Sequence, residues 1–148
     1  MKNTSLVPKV FIDTNILLDY MIPSRDKHDV VVNLFSLILT ARIEAAFSTQ
    51  SMLDAVYIGH RLPDFPKGFR DTLMHLINRT NVSYIDTWDI ETALRDANPD
   101  IEDNAQISFA YSQCCDIIVT SDKKLLSLEV PRPMRVMTPE DFVNACRA

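Results

Sequence analysis

Short, continuous runs of hydrophobic residues alternate along this chain with longer segments in which hydrophobic residues recur every three or four positions. The short runs, typical of strands buried on both faces of a sheet, lie at residues 10–12, 44–48, 82–85, 117–120 and 135–137. The longer segments predict helices, and they lie at residues 16–21, 26–41, 49–62, 69–80, 87–97, 101–115 and 123–128, with a further helix after residue 138. Strands that alternate with helices form a parallel sheet covered by helices on both faces. The pattern therefore predicts an α/β fold, with residues 1–148 as a single domain around a parallel sheet of four to five strands.

Composition supports a globular domain and excludes several binding motifs. Hydrophobic residues make up 47% of the chain and charged residues 24%, which is ordinary for a globular protein with a core. With only 2 glycines, the chain contains neither a Gly-rich dinucleotide-binding loop nor a Walker-type phosphate loop. The net charge of −5 gives no overall attraction for nucleic acid. A polyanionic substrate would therefore need a local basic patch, or metal ions that mask an acidic pocket.

Cysteine usage and the apolar segments bear on where the protein resides. The 3 cysteines are Cys114, Cys115 and Cys146, and an odd number with two adjacent members argues against a disulfide framework. We interpret them as small buried residues in a reducing compartment. Residues 1–5 lack the apolar run of a signal peptide, and the longest apolar stretch, residues 30–41, is too short and too polar to span a bilayer. These features predict a cytoplasmic protein without a membrane segment.

Four aspartates stand at positions where a parallel sheet can gather them. Asp13 directly follows the first predicted strand, and Asp122 follows the fourth. Asp103 lies in the first turn of a predicted helix, and Asp54 lies within another. The carboxyl ends of the strands in an open α/β sheet converge on one crevice, where ligands bind. Carboxylates gathered there repel one another unless a cation lies between them, and oxygen ligands suit Mg²⁺ or Mn²⁺. The sequence therefore predicts a metal site.

Each of these acids also has a purely structural interpretation. Asp13 and Asp122 could cap the helices that follow them. Asp103 could complement the dipole of its helix, although its register with Ile107 favours a side chain that faces the sheet. Asp54, in a helix interior, could simply face solvent. The two roles are compatible, since a capping carboxylate can also bind a ligand.

Taken in order, these motifs resemble the PIN domain, the metal-dependent nuclease fold of VapC-type toxins. The matching segments are VFIDTNILLD at residues 10–19, FSTQSMLD at 47–54, IEDNAQ at 101–106, DIIVTSD at 116–122 and VMTPEDF at 136–142. Each motif alone is weak, whereas the first four, which contain the four aspartates, are fairly specific in this order and at this spacing. The resemblance spans nearly the whole chain and implies a single PIN-like α/β domain.

The resemblance also assigns roles to individual residues. It implies that the catalytic residues and metal ligands are Asp13, Asp54, Asp103 and Asp122. Asn15 and Thr120 match the supporting polar positions of the family. The second acidic position is usually Glu in the family, so the shorter Asp54 could be held back from the metal or require a bridging water. Glu102, beside Asp103, is a further supporting candidate and leaves open which of the two points inward.

Three basic residues near these motifs are candidates for contacting the substrate. Lys123 and Lys124 follow Asp122, and Arg61 borders the loop at residues 63–68. Each could meet RNA phosphates, although a solvated surface is the ordinary place for such side chains.

The resemblance implies an endoribonuclease that hydrolyses RNA phosphodiester bonds with Mg²⁺ or Mn²⁺ as cofactor. An antitoxin would be its partner if the chain is the toxin of a toxin–antitoxin pair. One alternative is a catalytically idle PIN-like module that binds RNA or protein. Another is a phosphohydrolase of the haloacid dehalogenase type, with Asp13 as nucleophile and Thr120 and Lys123 binding phosphate. That class requires a second acid where this chain has Asn15.

The apolar helix predicted over residues 26–41 raises the question of a partner. Its hydrophobic residues cover most of the helical circumference, and Asn33, Ser36 and Thr40 form only a narrow polar stripe. Such a helix could be sandwiched within the core. It could instead pack against a second copy, giving a homodimer, or against an antitoxin. In the second case Leu34→Glu or Leu37→Glu should yield a folded monomer.

Overall fold

The computed structural model of the protein describes residues 7–148. The prediction that residues 1–5 form no signal peptide concerns positions outside this part. Within the described part the strands are β1 (Lys9–Ile12), β2 (Glu44–Ser48), β3 (Asn81–Ser83), β4 (Ile117–Val119) and β5 (Arg135–Met137). The helices are α1 (Thr14–Met21), α2 (His28–Leu39), α3 (Thr49–Gly59), α4 (Phe69–Arg79), α5 (Thr87–Arg95), α6 (Ile101–Ser112), α7 (Lys123–Leu126) and α8 (Pro139–Arg147). Every predicted strand and helix therefore has a counterpart in the structure.

The five strands form one parallel sheet in the order β3-β2-β1-β4-β5. β1 lies at the centre, where Phe11 is opposite Ala46 of β2 and Ile118 of β4. From β1 the chain first builds the sheet toward β3, and then crosses back to build it toward β5. The point at which the order reverses lies between β1 and β4, and ligands bind beside the carboxyl ends of the strands at such a point.

Helices cover both faces of the sheet, as the pattern predicts. Alternate residues of a strand point to opposite faces. Val10 and Ile12 belong to a core that includes residues of α1, α2 and α8, whereas Phe11 belongs to a second core. There its ring meets Phe109 of α6 edge-on, with ring centres 5.6 Å apart. The α/β fold class is therefore confirmed.

Several helices begin or end at residues that differ from the predicted ones. α1 begins two residues earlier than predicted, because the Asp13 side chain accepts a hydrogen bond from the backbone N–H of Thr14. α6 ends at Ser112 rather than at residue 115, and Cys114 then adopts the left-handed backbone conformation with φ of 59°. Cys114 is exposed, so the prediction that all three cysteines are buried is wrong there. Cys115 is buried and starts the approach to β4.

The predicted apolar helix is α2, and it belongs to the core of its own chain. Val31, Leu34 and Phe35 are 0% exposed, and the helix packs between α1 and α8. The interpretation as a core helix is therefore confirmed. For Leu34, one of the two residues predicted to lie on an interface, the prediction is wrong, because neighbouring helices already bury this side chain. Leu37 is half-buried, and self-association stays a prediction. In residues 7–148 no helix has the length and apolar character needed to cross a membrane.

Candidate active site

Asp13 lies just past β1, and hydrogen bonds fix both oxygens of its carboxylate. Oδ1 accepts from the backbone N–H of Thr14 at 2.7 Å, which caps α1, and Oδ2 accepts from Oγ1 of Thr120 at 2.8 Å. The residue is 5% exposed. Burial raises the pKa of Asp13 and repulsion from Asp122 adds to the rise, while the two hydrogen bonds oppose it. The capping interpretation is thus confirmed, and it leaves Asp13 inside the crevice.

Thr120 connects Asp13 to the second strand-end acid, Asp122. Its hydroxyl donates to Asp13 and accepts from the backbone N–H of Asp122 at 3.0 Å, and the residue is fully buried. The half-buried Asp122 in turn caps α7, since its Oδ1 accepts from the backbone N–H of Lys124 at 2.9 Å. This buried hydroxyl therefore links the Asp13 carboxylate to the backbone of Asp122, beside the backbone bond from Asp13 N–H to the Val119 carbonyl.

The N-terminus of α6 supplies Asp103 and Glu102. Asp100 caps this helix by accepting from the backbone N–H of Asp103 at 3.1 Å. Asp103 is 6% exposed whereas Glu102 is exposed, so Asp103 is the more buried of the two, and both line the crevice. Oδ2 of Asp103 is buried and has no hydrogen-bond partner within residues 7–148. A buried oxygen without a partner is uncommon in proteins, and a cation bound beside it would supply the missing interaction.

The acids of the crevice raise one another's pKa. Burial contributes most to raising the pKa of Asp103 to about 6, and repulsion from Asp100, Asp122, Asp13 and Glu102 adds to it. The pKa of Glu102 is raised as well, first by burial and then by repulsion from neighbouring acids, of which Asp54 contributes most. Carboxylates that disfavour one another's ionisation favour a cation between them.

Asp54 approaches the same crevice from the middle of α3. It is half-buried and accepts a hydrogen bond from Nε2 of Gln50 at 2.8 Å. It lines a cavity of about 330 Å³ together with the acids described above. The full lining consists of Asp13, Thr14, Asn15, Asp54, Tyr57, Ile58, Glu102, Asp103, Gln106 and Asp122. The structure thus brings four separate sequence motifs to one place.

None of the three basic candidates is part of the lining of the crevice. Lys123 and Lys124 are exposed on α7 and are absent from the lining of the crevice. Arg61 is exposed as well, but its guanidinium lies 3.5 Å from the ring centre of Tyr57, and its Nη1 donates to the Tyr57 carbonyl at 2.7 Å. Because Tyr57 lines the crevice, Arg61 is the basic candidate that borders it.

Sequence reasoning missed several lining residues that helical spacing could have found. Gln106 follows Asp103 by three positions, and Tyr57 follows Asp54 by three, which puts each on the same helix face as the acid. Thr14 is the residue next to Asp13. If Asp103 and Asp54 face the crevice, helical spacing predicts that Gln106 and Tyr57 face it as well.

The crevice suits a hard divalent cation in donor type and in charge. Its candidate ligands are all carboxylate oxygens, which Mg²⁺ and Mn²⁺ prefer. The buried Oδ2 of Asp103 offers a free acceptor. Within residues 7–148, however, no three His, Cys, Asp or Glu side chains are close enough as they stand to hold an ion together. The carboxylates would therefore have to move closer together to act as common ligands.

The fold is thus a parallel sheet whose strand order reverses between β1 and β4, and the acids of the candidate site lie at that point. The chain belongs to the PIN domain family, whose sequence profile matches residues 9–124. The resemblance read from the sequence motifs is therefore confirmed. The match covers every strand except β5 and every one of the four acids.

Known proteins similar to this chain include a sequence relative and several solved structures. Ribonuclease VapC1 from Aquifex aeolicus (strain VF5) is 24% identical over 139 residues, which cover 90% of this chain and 92% of that protein. The structure of Mycobacterium tuberculosis VapC20, described as a Sarcin-Ricin loop cleaving toxin, has a TM-score of 0.65 at 11% identity and covers 84% of this chain and 98% of that one.

Two further similar structures come from complexes. VapBC2 from Rickettsia felis, bound to a DNA fragment from its promoter, has a TM-score of 0.60 at 13% identity and covers 88% of this chain and 98% of that one. A toxin–antitoxin complex from Klebsiella pneumoniae has a TM-score of 0.61 at 18% identity, with coverages of 88% and 97%. At such identities the likeness establishes the fold, which is that of VapC toxins.

Proposed function

We propose that the protein is an endoribonuclease that depends on Mg²⁺ or Mn²⁺ and hydrolyses phosphodiester bonds in RNA. The observation that carries the proposal is the acidic crevice at the carboxyl ends of β1 and β4, where a buried carboxylate oxygen of Asp103 has no hydrogen-bond partner among residues 7–148. Membership of the PIN domain family supports it, as does the similarity to a protein named as a ribonuclease.

In this proposal Asp13, Asp103 and Asp122 hold the metal, and Asp54 assists directly or through a water. When bound, such an ion stabilises negative charge on a phosphate and lowers the pKa of a water molecule. The residues around the site orient the carboxylates and set their protonation state. The hydrogen bonds from Thr14 and Thr120 favour the ionised form of Asp13 and fix its orientation.

Water is the proposed nucleophile, attacking in line with the leaving oxygen. The lining of the crevice in residues 7–148 includes no Ser, Cys, His or Lys. Asp13, the nucleophile of the phosphohydrolase alternative, already accepts a hydrogen bond at each oxygen. Asn15 stands where that alternative needs a second acid. These observations, together with the family match, argue against a covalent aspartyl-phosphate route.

We further propose that Arg61 and Tyr57 contact the RNA at one side of the crevice. A guanidinium stacked on an exposed tyrosine presents both a charge and a flat surface, and RNA bases stack on either. Lys123 and Lys124 remain candidates for contacts outside the crevice, because both are exposed on α7 next to Asp122.

An antitoxin is the proposed protein partner, and self-association remains a prediction. The similar structures include two toxin–antitoxin assemblies, which supports a partner of that kind. The test is co-expression with the product of a small adjacent reading frame. Co-purification, with loss of RNA cleavage, is the expected result, and a product that neither binds nor inhibits would argue against this partner.

Cleavage of RNA tests the central proposal. With Mn²⁺ or Mg²⁺ the wild-type protein should cut RNA, and EDTA should stop it. Asp13→Asn and Asp122→Asn should abolish cutting while the proteins stay folded, because each removes ligand charge with little change of shape. Asp141→Asn, an exposed acid on α8, is the matched control and should keep full activity. Wild-type activity in both crevice variants would instead point to a contaminating nuclease.

A further inference from the structure

A second cavity adjoins the acidic crevice, and Tyr57 is not part of its lining within residues 7–148. Its volume is about 650 Å³, and it shares Asn15 and Asp122 with the crevice. The loop between α1 and α2 forms its other side and contributes Arg25 and Lys27. A strand of RNA that placed a phosphate in the crevice could therefore extend into this cavity.

Arg25 is held in this cavity by a buried carboxylate. Its Nε donates to Oδ1 of Asp19 at 2.6 Å, and Asp19 is only 4% exposed. Backbone hydrogen bonds on either side fix the loop, from Arg25 N–H to the Ile22 carbonyl and from His28 N–H to the Arg25 carbonyl. The guanidinium is therefore positioned before any ligand arrives.

The anchoring bond leaves most of the guanidinium available. Arg25 keeps 31% of its side chain exposed, and within residues 7–148 neither Nη1 nor Nη2 has a hydrogen-bond partner. Lys27, the other cation of this cavity, is paired with Glu140 of α8. The Lys27 ammonium also keeps unused N–H groups, but its partner Glu140 is half-exposed, whereas the partner of Arg25 is buried. A planar guanidinium with two free amino groups matches the oxygens of a phosphate.

We propose that Arg25 binds an RNA phosphate next to the one that is cleaved, and so positions the strand across the crevice. This inference rests on the proposed ribonuclease function. A chain with a net charge of −5 has no general attraction for RNA, so it needs cations at specific points along the strand. Asp19, Asp26 and Asp122 line the same cavity and oppose phosphate binding, so the two cations of the cavity must offset their charge for a phosphate to bind there.

The alternative is that Arg25 serves only to tie its loop to α1. The ion pair with Asp19 would then stabilise the protein without touching the substrate. The two roles differ in one measurable respect. A structural arginine affects every RNA alike, whereas a phosphate-binding arginine is sensitive to charge at one position of the strand.

The test uses a short single-stranded RNA that the wild type cuts at one bond, with a neutral methylphosphonate replacing one phosphate at a time. Wild-type kcat/KM should fall about tenfold at one position beside the scissile phosphate, mainly through KM, because a charge-assisted hydrogen bond is lost. Arg25→Gln should lose a similar factor on the natural RNA and be insensitive to the modification at that position. For Arg25→Gln, the slope of the logarithm of the RNA-binding constant against the logarithm of salt concentration should be less steep by about 0.7.

Matched variants separate binding from folding. Arg42→Gln removes an exposed charge just before the amino end of β2, the end of the strands opposite the crevice, and should keep the wild-type profile. Arg25→Lys keeps the charge and should retain part of the sensitivity, which gives a second measurement if Arg25→Gln is unstable. Thermal unfolding of each variant reports whether it folds.

Two results would overturn the inference. In the first, Arg25→Gln lowers kcat/KM by the same factor on every modified RNA, so that Arg25 acts only on its loop. In the second, the wild type cuts RNA but no flanking phosphate matters, which leaves the proposed ribonuclease intact. A wild type that neither cuts nor binds the labelled RNA would overturn both proposals.

Discussion

At the scale of single residues, Asp103 is the acid whose ionisation folding disfavours most clearly. Its pKa is about 6 in the folded protein against an ordinary value of 3.8. The folded state therefore binds more protons than the unfolded state between these two values, and its stability falls as the pH rises through that window. The electrostatic cost is absent below the lower value and complete above the higher one. Asp103→Asn should therefore raise the melting temperature of the metal-free protein above pH 6, and the gain should vanish as the pH falls toward 4.

Melting curves measured in EDTA across this pH range check the prediction. Glu129→Gln, an exposed acid in the loop before β5, serves as the control and should follow the wild type at every pH. A gain from Asp103→Asn that does not change with pH would show that charge repulsion is not its cause.

Asp54 allows a second prediction at this scale. The family usually places a Glu at this position, and Asp54 is half-buried with a hydrogen bond from Gln50. If the site favours the longer side chain, Asp54→Glu should keep or increase RNA cleavage, and Asp54→Ala should reduce it. Cleavage rates at saturating Mn²⁺ measure both. An Asp54→Ala protein with full activity would leave a site of three acids.

The sequence identified some site residues and not others, for a physical reason. Asp13 and Asp122 follow buried strands, and the direction of a parallel sheet alone brings such residues together. Arg25 borders the site because of how the loop after α1 packs against that helix, which no local pattern encodes. Proximity in sequence to Asp122 predicts that Lys123 and Lys124 border the crevice, yet both lie outside its lining.

At the scale of elements, α2 permits a prediction about stability. Leu34 is 0% exposed between α1 and α8, whereas Val32 on the same helix is 40% exposed. Leu34→Ala should lower the free energy of unfolding by about 2–5 kcal/mol, because it leaves a cavity in the core. Val32→Ala is the control and should cost about 0.5 kcal/mol or less. Urea unfolding measures both.

The same helix changes how self-association is tested. Leu34→Glu would bury a charge within the chain's own core, so we expect it to unfold the protein rather than to give a folded monomer.

Equal unfolding free energies for Leu34→Ala and Val32→Ala would contradict the placement of α2 in the core.

The ends of elements were harder to predict than their existence. Helical spacing of apolar residues continues past Gly59 to residue 62, yet α3 ends at Gly59. Any side chain at this position would collide with the ring of Phe65, which folds back from the following loop. A contact between a helix end and a ring six residues later has no counterpart in local periodicity. The periodic pattern therefore predicted the helix but not where it stops.

At the scale of the whole molecule, a bound cation should couple the acids to global stability. An ion that binds only the folded state adds about 2.7 kcal/mol when its free concentration is 100 times its Kd. Mn²⁺ should therefore raise the melting temperature of the wild type and of Glu129→Gln, but not that of Asp13→Asn. Equal shifts in all three proteins would mean that the ion does not bind in the crevice.

The central position of β1 has a consequence for the order of events during synthesis. β1 leaves the ribosome well before its partner β4, and the hydrogen bond from Thr120 to Asp13 spans 107 residues. Contacts so distant in sequence form late, because a long loop must close before they are made. A nascent chain that ends before residue 117 therefore has β1 paired on one side only, and it lacks both Thr120 and Asp122. Whatever chemistry the crevice performs is withheld until the ribosome has passed the fourth strand.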